Sequence, residues 1–352
     1  MPREGSWPSG GLKVILEYAN RMSEDGYNVK LIFPLFRINE HFDIIHRLYF
    51  FFFTYLRYKI TKKYVPTWIQ LSKNIKYKFV WSLEKYHYSK NDVFISTAIH
   101  TAYSLDKYRV PSDNKYYFIQ DFENWDFSYE EVIRSYKFNN HKIVIAKWLH
   151  NILSSNGISS DIVPNGFHLD VFKINKSILE RDRKSVIALY HRSATKDMPT
   201  LFAALDIVHH KIADIKVNLF GVPPQPANLP FWITYHQTPP KDELIELYNN
   251  AAIYVGSSKI EGWGLPVGEA MCCGCAVACT NNDGYLEMAK DNETALVSEV
   301  ENPKALANNI IKLINDNELR YRIAMSGNKH IQEFDINKSS KKFEDIVTEN
   351  IR

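Results

Sequence analysis

AAIYVGSSKIEGWGLPVGEAMCCGCAVACT, residues 251–280, passes from a β-branched apolar run through a glycine-rich loop into a short helical segment and out into a second apolar run. Strand, loop, helix and strand in that order are the repeating unit of a parallel α/β sheet. Pro266 stands where the first helical position is expected. The N–H groups of the turn that follows, from Leu265 to Gly268, combine with the helix dipole into an anion site. Gly262 and Gly264 let the backbone approach a ligand closely. Glu269 lies early in the same helix, where a carboxylate and a phosphate would repel if they shared one pocket. It is better suited to accept hydrogen bonds from a neutral diol such as a ribose. Glu261, ahead of the glycines, then faces whatever lies beyond the phosphates. The same spacing also describes a plain helix N-terminus with dipole-compensating acids, and spacing alone does not separate the two.

The pattern repeats outward from this stretch. SVIALYH (185–191), KVNLFG (216–221) and WITYHQ (232–237) read as strands, with helices at 198–212, 241–251, 266–273 and 303–317. A polar segment, KINKSILERDRK (173–184), separates this series from an earlier one. NVKLIFP (28–34), DVFIST (92–97), KYYFIQ (115–120) and KIVIAK (142–147) are its strands. GLKVILEYANRMSEDGY (11–27) is an amphipathic helix that Gly26 ends. Strands alternating with helices on both sides of a linker predict two doubly wound α/β domains. The turn SGG (9–11) has no good strand before it, because MPREGSW (1–7) is a poor one. The first domain is therefore expected to lack its first strand.

With 352 residues, 45% of them apolar and 24% charged, the chain has the composition of a globular protein of two domains. All four cysteines (272, 273, 275 and 279) fall in one short stretch, whereas four-cysteine zinc sites use separated pairs. They read as small packing thiols in a reducing cytoplasm, and no Asp-x-Asp pair sits in a plausible metal loop. No metal and no cofactor are expected. The net charge is +3, yet residues 47–90 carry +9, so the remainder sums to −6. RLYFFFFTYLRYKITKKY (47–64) interleaves aromatic rings with cations, as an interfacial segment on an anionic membrane does. A helical hairpin packed on the first domain is the alternative. Its apolar core, nine residues from Leu48 to Leu56, is about half the length that crosses a bilayer. No recognition motif supports nucleic-acid binding.

Glu261 and Glu269 resemble the E-x7-E motif of the retaining GT-B glycosyltransferases of family 4 (glycosyl transferases group 1). PSGGLKVILEYANRMSEDGYNV (8–29), YFIQDFENW (117–125), IVPNGFHLDVF (162–172), LYHRSATKDMPTLFAAL (189–205) and DGYLEMAKDNETALVSEVENPKALANNI (283–310) resemble the family's other landmarks, in the family's order. The first two especially resemble the rhamnosyltransferase-like branch that builds surface polysaccharides. The resemblance implies a GT-B fold of two Rossmann-like domains facing a central cleft. Residues 1–172 would bind the acceptor, with a C-terminal helix at about 336–352 packed back on them, and residues 173–335 would bind the donor. It also implies transfer of a sugar, with retention, from a nucleoside-diphosphate sugar to a glycan or lipid-linked acceptor. The enzyme would be cytoplasmic or peripheral on the inner face of a membrane.

Carried over by residue, the resemblance gives Glu269 the ribose hydroxyls and Glu261 the donor sugar. The Gly262, Gly264, Leu265, Pro266 and Val267 backbone would cradle the diphosphate or sugar. Arg192 and Lys196 would neutralise the departing diphosphate, and Gly10 and Gly11 would close over it. Asp197 departs from the family pattern, which has glycine after the lysine. His100, after a strand, and Asp121 or Glu123 in QDFENW are candidates for a general base or for orienting the acceptor. A mechanism in which the leaving phosphate takes the proton needs none of them. The alternatives are a non-catalytic GT-B subunit that stabilises a partner, motivated by the missing strand, and a GT-B nucleotide-sugar epimerase.

Overall fold

The computed structural model describes residues 9–34, 45, 52–53, 56, 60 and 68–349. Residues 1–7, read as a poor strand, most of the aromatic and basic run at 47–67, and the end of the helix expected at 336–352 lie outside the described residues.

Ser9 accepts a hydrogen bond from the Leu12 N–H and so caps α1 (Gly10–Glu24), whose end is marked by Gly26 at φ +94°. The buried face of α1, Leu12, Leu16 and Ala19, packs on Leu31, Phe33 and Ile75. Leu31 and Phe33 belong to β1 (Lys30–Pro34), which pairs in parallel with β2 (Lys76–Val80). β2 lies within the basic stretch, which sequence patterning reads for its charge and not as a strand. A second, four-stranded parallel sheet follows. It contains β3 (Phe94–Ser96), β4 (Lys115–Ile119), β5 (His141–Val144) and β6 (Asp161–Ile162), adjacent in chain order. Its connections are α2 (Ile99–Asp106), α3 (Tyr129–Tyr136) and α4 (Lys147–Ser155). All five residues of β4 are buried, as befits a strand covered on both faces.

The second series begins with β7 (Ser185–Leu189), α5 (Met198–Lys211), β8 (Lys216–Gly221) and β9 (Ile233–Gln237). It continues through α6 (Lys241–Asn250), β10 (Ile253–Gly256), α7 (Leu265–Cys272), β11 (Ala276–Thr280), α8 (Asp283–Leu286) and β12 (Leu296–Ser298). α9 (Pro303–Asn315), α10 (Asn317–Ile331) and α11 (Ile336–Thr348) close the chain. The six strands are all parallel, in the order β12-β11-β10-β7-β8-β9. This is the doubly wound order in which growth of the sheet reverses between its first and fourth strands, here β7 and β10.

The chain divides into two compact units, Met1–Pro164 with Ser340–Arg352, and Asn165–Ser339. The linker pattern instead suggests a division after 172. Residues 165–172 stay with the second unit because Phe167 donates to the Phe334 carbonyl at 2.8 Å and accepts from the Ile336 N–H at 3.1 Å. The polar segment at 173–184 is packed as well, with Ile178 and Arg181 both buried. Late in α11, Phe343 packs on the rings of Tyr18 and Phe118 at 4.8 and 5.1 Å, within the first unit.

Candidate functional site

In an open parallel sheet, ligands lodge beyond the carboxyl ends of the strands at the point where strand order reverses. In the second unit that point lies between the loop after β7 (190–197) and the loop after β10 (257–264). The two loops are tied together: the Lys259 N–H donates to the Thr195 carbonyl at 2.7 Å, and the Ser257 hydroxyl to the Lys196 carbonyl at 3.0 Å. Across them the Lys196 ammonium meets Glu261 Oε1 at 2.5 Å, with side chains 21% and 11% exposed. Ser258 Oγ is bonded to the same oxygen at 2.7 Å.

Asp197 takes up φ +48° and caps α5 by accepting the Thr200 N–H. Glycine, which the resemblance implies here, adopts this left-handed shape without strain; aspartate is among the few other residues that tolerate it, and here it adds a cap. Arg192 is exposed, and its guanidinium has no hydrogen bond or ion pair among the described residues. His191 accepts the Ser193 N–H on Nδ1 at 3.0 Å, so its neutral form carries the proton on Nε2. Burial, then the Lys196 charge, lowers its pKa against the opposing pull of Glu261. His191 therefore lies closer to the charged centre than the sequence suggests.

Gly264, at φ +98°, turns the chain into α7. The anion cradle is narrower than expected from sequence. Pro266 has no N–H, and the Val267 and Gly268 N–H groups approach the Gly264 carbonyl at 3.0 and 3.4 Å. In this turn the Leu265 N–H, at the first helical position, remains without an intrahelical acceptor. Glu269 is only 7% exposed and accepts a hydrogen bond from the Tyr248 phenol at 3.3 Å. Burial raises the pKa of the neighbouring Tyr248 and Tyr254 phenols, and the charge of Glu269 adds to it, so both remain protonated.

Sequence reasoning misses Tyr285, Asn282 and Tyr248. The Tyr285 phenol donates to Ser258 Oγ at 2.9 Å, and the Asn282 amide donates to the Ser258 carbonyl at 2.9 Å. Their only sequence signal is the place of Tyr285 in DGYLEMA (283–289), of Asn282 just before it, and of Tyr248 in the helix before β10. All four cysteines are buried thiols, their pKa values raised by burial, to about 12 at Cys275 and Cys279. Among the described residues no three His, Cys, Asp or Glu side chains group as a metal site would require.

The first unit gathers the other candidates at the carboxyl ends of β3 and β4. His100 lies in the first turn of α2, edge-on to Phe127, with Nε2 3.9 Å from Asp126 Oδ2. Asp121 accepts the Phe122 N–H at 2.8 Å. Glu123 accepts the Ile99 N–H at 2.7 Å, which makes it a brace for the helix that carries His100. Gly10 and Gly11 form the exposed start of α1, where a Cβ on Gly11 would meet the Gln120 amide at 3.4 Å. A cavity of about 490 Å³ lined by Asn140, Lys142, Asn156 and Asp161 opens at the amino ends of β5 and β6 and holds none of these residues.

Two α/β units with parallel sheets, one in the doubly wound order, are the fold of GT-B glycosyltransferase structures. Sucrose-phosphate synthase from Thermosynechococcus elongatus superposes with a TM-score of 0.73 at 16% identity, over 97% of this chain and 94% of that one. HepE of Anabaena, solved in complex with UDP and glucose, superposes with a TM-score of 0.69 at 13% identity, over 99% of this chain and 98% of that one. Residues 172–330 match the family described as Glycosyl transferases group 1. Over 89 residues the chain is 35% identical to the O-antigen chain mannosyltransferase B of Escherichia coli, a match that covers 25% of this chain and 23% of that protein. The chain thus spans about a quarter of the length of that curated relative.

Proposed function

We propose that the protein is a retaining glycosyltransferase of family 4 that moves a sugar from a nucleoside-diphosphate sugar to a glycan or lipid-linked acceptor in surface-polysaccharide synthesis. The observation that carries this reading is the joining of Lys196 and Glu261 at the strand-order reversal, beside the open first turn of α7. A diphosphate fits there because it brings two or more negative charges to Lys196, Arg192 and the α7 dipole. Those groups supply the charge a departing diphosphate needs, so the reaction is expected to run without a metal ion. Glu269 then takes the ribose hydroxyls and Glu261 a hydroxyl of the sugar. His100 and Asp121 would orient the acceptor hydroxyl in the first unit. HepE, whose structure holds UDP and glucose, supports the class of donor, and the O-antigen chain mannosyltransferase supports a role in polysaccharide synthesis; the rhamnosyltransferase-like branch rests on the sequence resemblance alone.

The test is a calorimetric and thermal-shift screen of UDP-glucose, GDP-mannose, dTDP-rhamnose and CDP-glucose, each beside its nucleoside diphosphate. One pair is expected to bind, unaffected by EDTA, and Glu269→Ala to weaken both members at least tenfold, since two hydroxyl contacts to a charged acceptor are worth about 1.5–3 kcal/mol each. Binding of none, or binding unchanged in Glu269→Ala, sinks the reading. For the 47–90 stretch, the reading predicts salt-sensitive sedimentation with anionic vesicles at the cytoplasmic membrane's lipid charge.

A further inference from the structure

Tyr285 is 3% exposed, and its ring occupies space that two other segments leave free. A Cβ on Gly256, at the end of β10, would come within 2.9 Å of the ring, and one on Gly264 within 2.5 Å. Gly284 beside it lets α8 close onto the Glu261 backbone, since a Cβ there would stand 2.4 Å from the Glu261 carbonyl oxygen. Separations this short would force the structure apart, so the glycines and the tyrosine fit one another as a set.

The ring holds its phenol against Ser258. A serine hydroxyl has one proton, and when its oxygen accepts from Tyr285 that proton is free to go to Glu261. The resulting chain runs from the Tyr285 phenol through Ser258 Oγ (2.9 Å) to Glu261 Oε1 (2.7 Å). Burial and the charge of Glu261 raise the pKa of the phenol, which keeps it a donor. Lys196 holds the same oxygen, and the phenol itself is 3.5 Å from it. Glu261 Oε2 has no hydrogen-bond partner among the described residues. Lys196 by itself would fix a charge but not a plane, because an ammonium on a four-carbon stem swings freely. It is also the group that a diphosphate would draw away.

We propose that Tyr285 and Ser258 are positioning residues that act through Glu261, fixing its carboxylate plane so that Oε2 meets one hydroxyl of the donor sugar and selects sugars by where that hydroxyl stands. The inference rests on the reading of Glu261 as the sugar contact. It separates the contributions of the site: Lys196 and the α7 turn bind any nucleoside diphosphate, and the relay adds affinity only when the sugar is present.

The test uses the full chain and the four ligand pairs of the screen. Tyr285→Phe keeps the ring in its slot and removes only the phenol oxygen; Ser258→Ala breaks the relay one step nearer Glu261. In the pair that wild type binds, each variant is expected to weaken the nucleotide sugar roughly three- to tenfold, the loss of about one hydrogen bond, with the nucleoside diphosphate within about twofold. Adding Tyr285→Phe to Glu261→Ala is expected to cost nothing further, because the relay then has nothing left to orient. Equal weakening of both ligands, no weakening, or an additive double variant overturns the relay and leaves the glycosyltransferase reading standing. Wild type that binds no nucleotide sugar overturns that reading and the relay with it. Should Tyr285→Phe not fold, Ser258→Ala gives the same comparison.

Discussion

Asp197 stands where the resemblance implies a glycine, yet the backbone it makes is the one glycine would make. Its left-handed φ costs a non-glycine residue about 1 kcal/mol, and its cap on α5 returns about the same. Asp197→Gly exchanges one for the other and is expected to move stability by less than about 1 kcal/mol. Asp197→Ala keeps the strain and loses the cap, so it is expected to cost about 1–2 kcal/mol, read as a denaturation midpoint below that of the glycine variant. His191 is the other informative residue. Its folded pKa is depressed, so the unfolded chain binds its proton first, and the folded state must take up a proton it resists. Stability from this group is present above the ordinary histidine range near about pH 6.5 and is lost as pH falls towards the folded value. Thermal midpoints measured from about pH 8 to 5 are expected to fall more steeply for wild type than for His191→Gln. Parallel curves for the two proteins would remove His191 from the account.

The elements differ in how legible they are. β7, β10 and β11 are nearly continuous apolar runs, and such runs read clearly because both faces of a parallel sheet are covered. β2 alternates lysine with aromatic residues in KYKFV, which a charge-based reading assigns to a basic surface. β6 and β12 have two and three residues, too few for a period. α10 is polar on most of its surface and follows α9 after one residue, so its start carries no break in composition. Of the candidate site, the sequence singled out Glu261, Glu269, Lys196 and the Gly–Pro turn, which the structure places at or beside the strand-order reversal. The support around them was not legible, because Tyr285 meets Ser258 only where Gly256 and Gly264 leave space for its ring. Arg181 belongs to the same class. It lies in a segment whose composition reads as a solvated linker, yet it is 4% exposed and donates to the carbonyls of Lys176, Ala251 and Cys273 at 2.8, 3.1 and 2.7 Å. Those last two carbonyls lie just past the ends of α6 and α7, where a cation offsets the negative dipole end. Arg181→Met fills the volume and strips these donors, so it is expected to lower the stability of the second unit by about 2–4 kcal/mol. A loss under about 0.5 kcal/mol in chemical denaturation would show that water replaces the guanidinium freely.

At the scale of the whole chain, the first unit is completed by residues far from it in sequence. α11 brings Phe343 and Val347, 4% and 1% exposed, to a unit otherwise built from the first 164 residues. Phe343 sits between Tyr18 of α1 and Phe118 of β4, and the Tyr116 phenol donates to the Ile346 carbonyl at 3.2 Å. Burial of two such side chains is worth about 1.5–3 kcal/mol each, a large share of the roughly 5–15 kcal/mol that holds a domain folded. A chain ended after Ser339 is therefore expected to keep the unfolding transition of the second unit and to lose, or shift far downward, that of the first. Scanning calorimetry resolves the two. The nucleoside-diphosphate affinity of the shortened chain provides the second reading, since Lys196, Glu261, Glu269 and the α7 turn all lie within Asn165–Ser339. Retained affinity beside a lost first transition is the expected outcome. Loss of both together would mean that the second unit does not stand without the first, and that the donor contacts assigned to it depend on residues outside it.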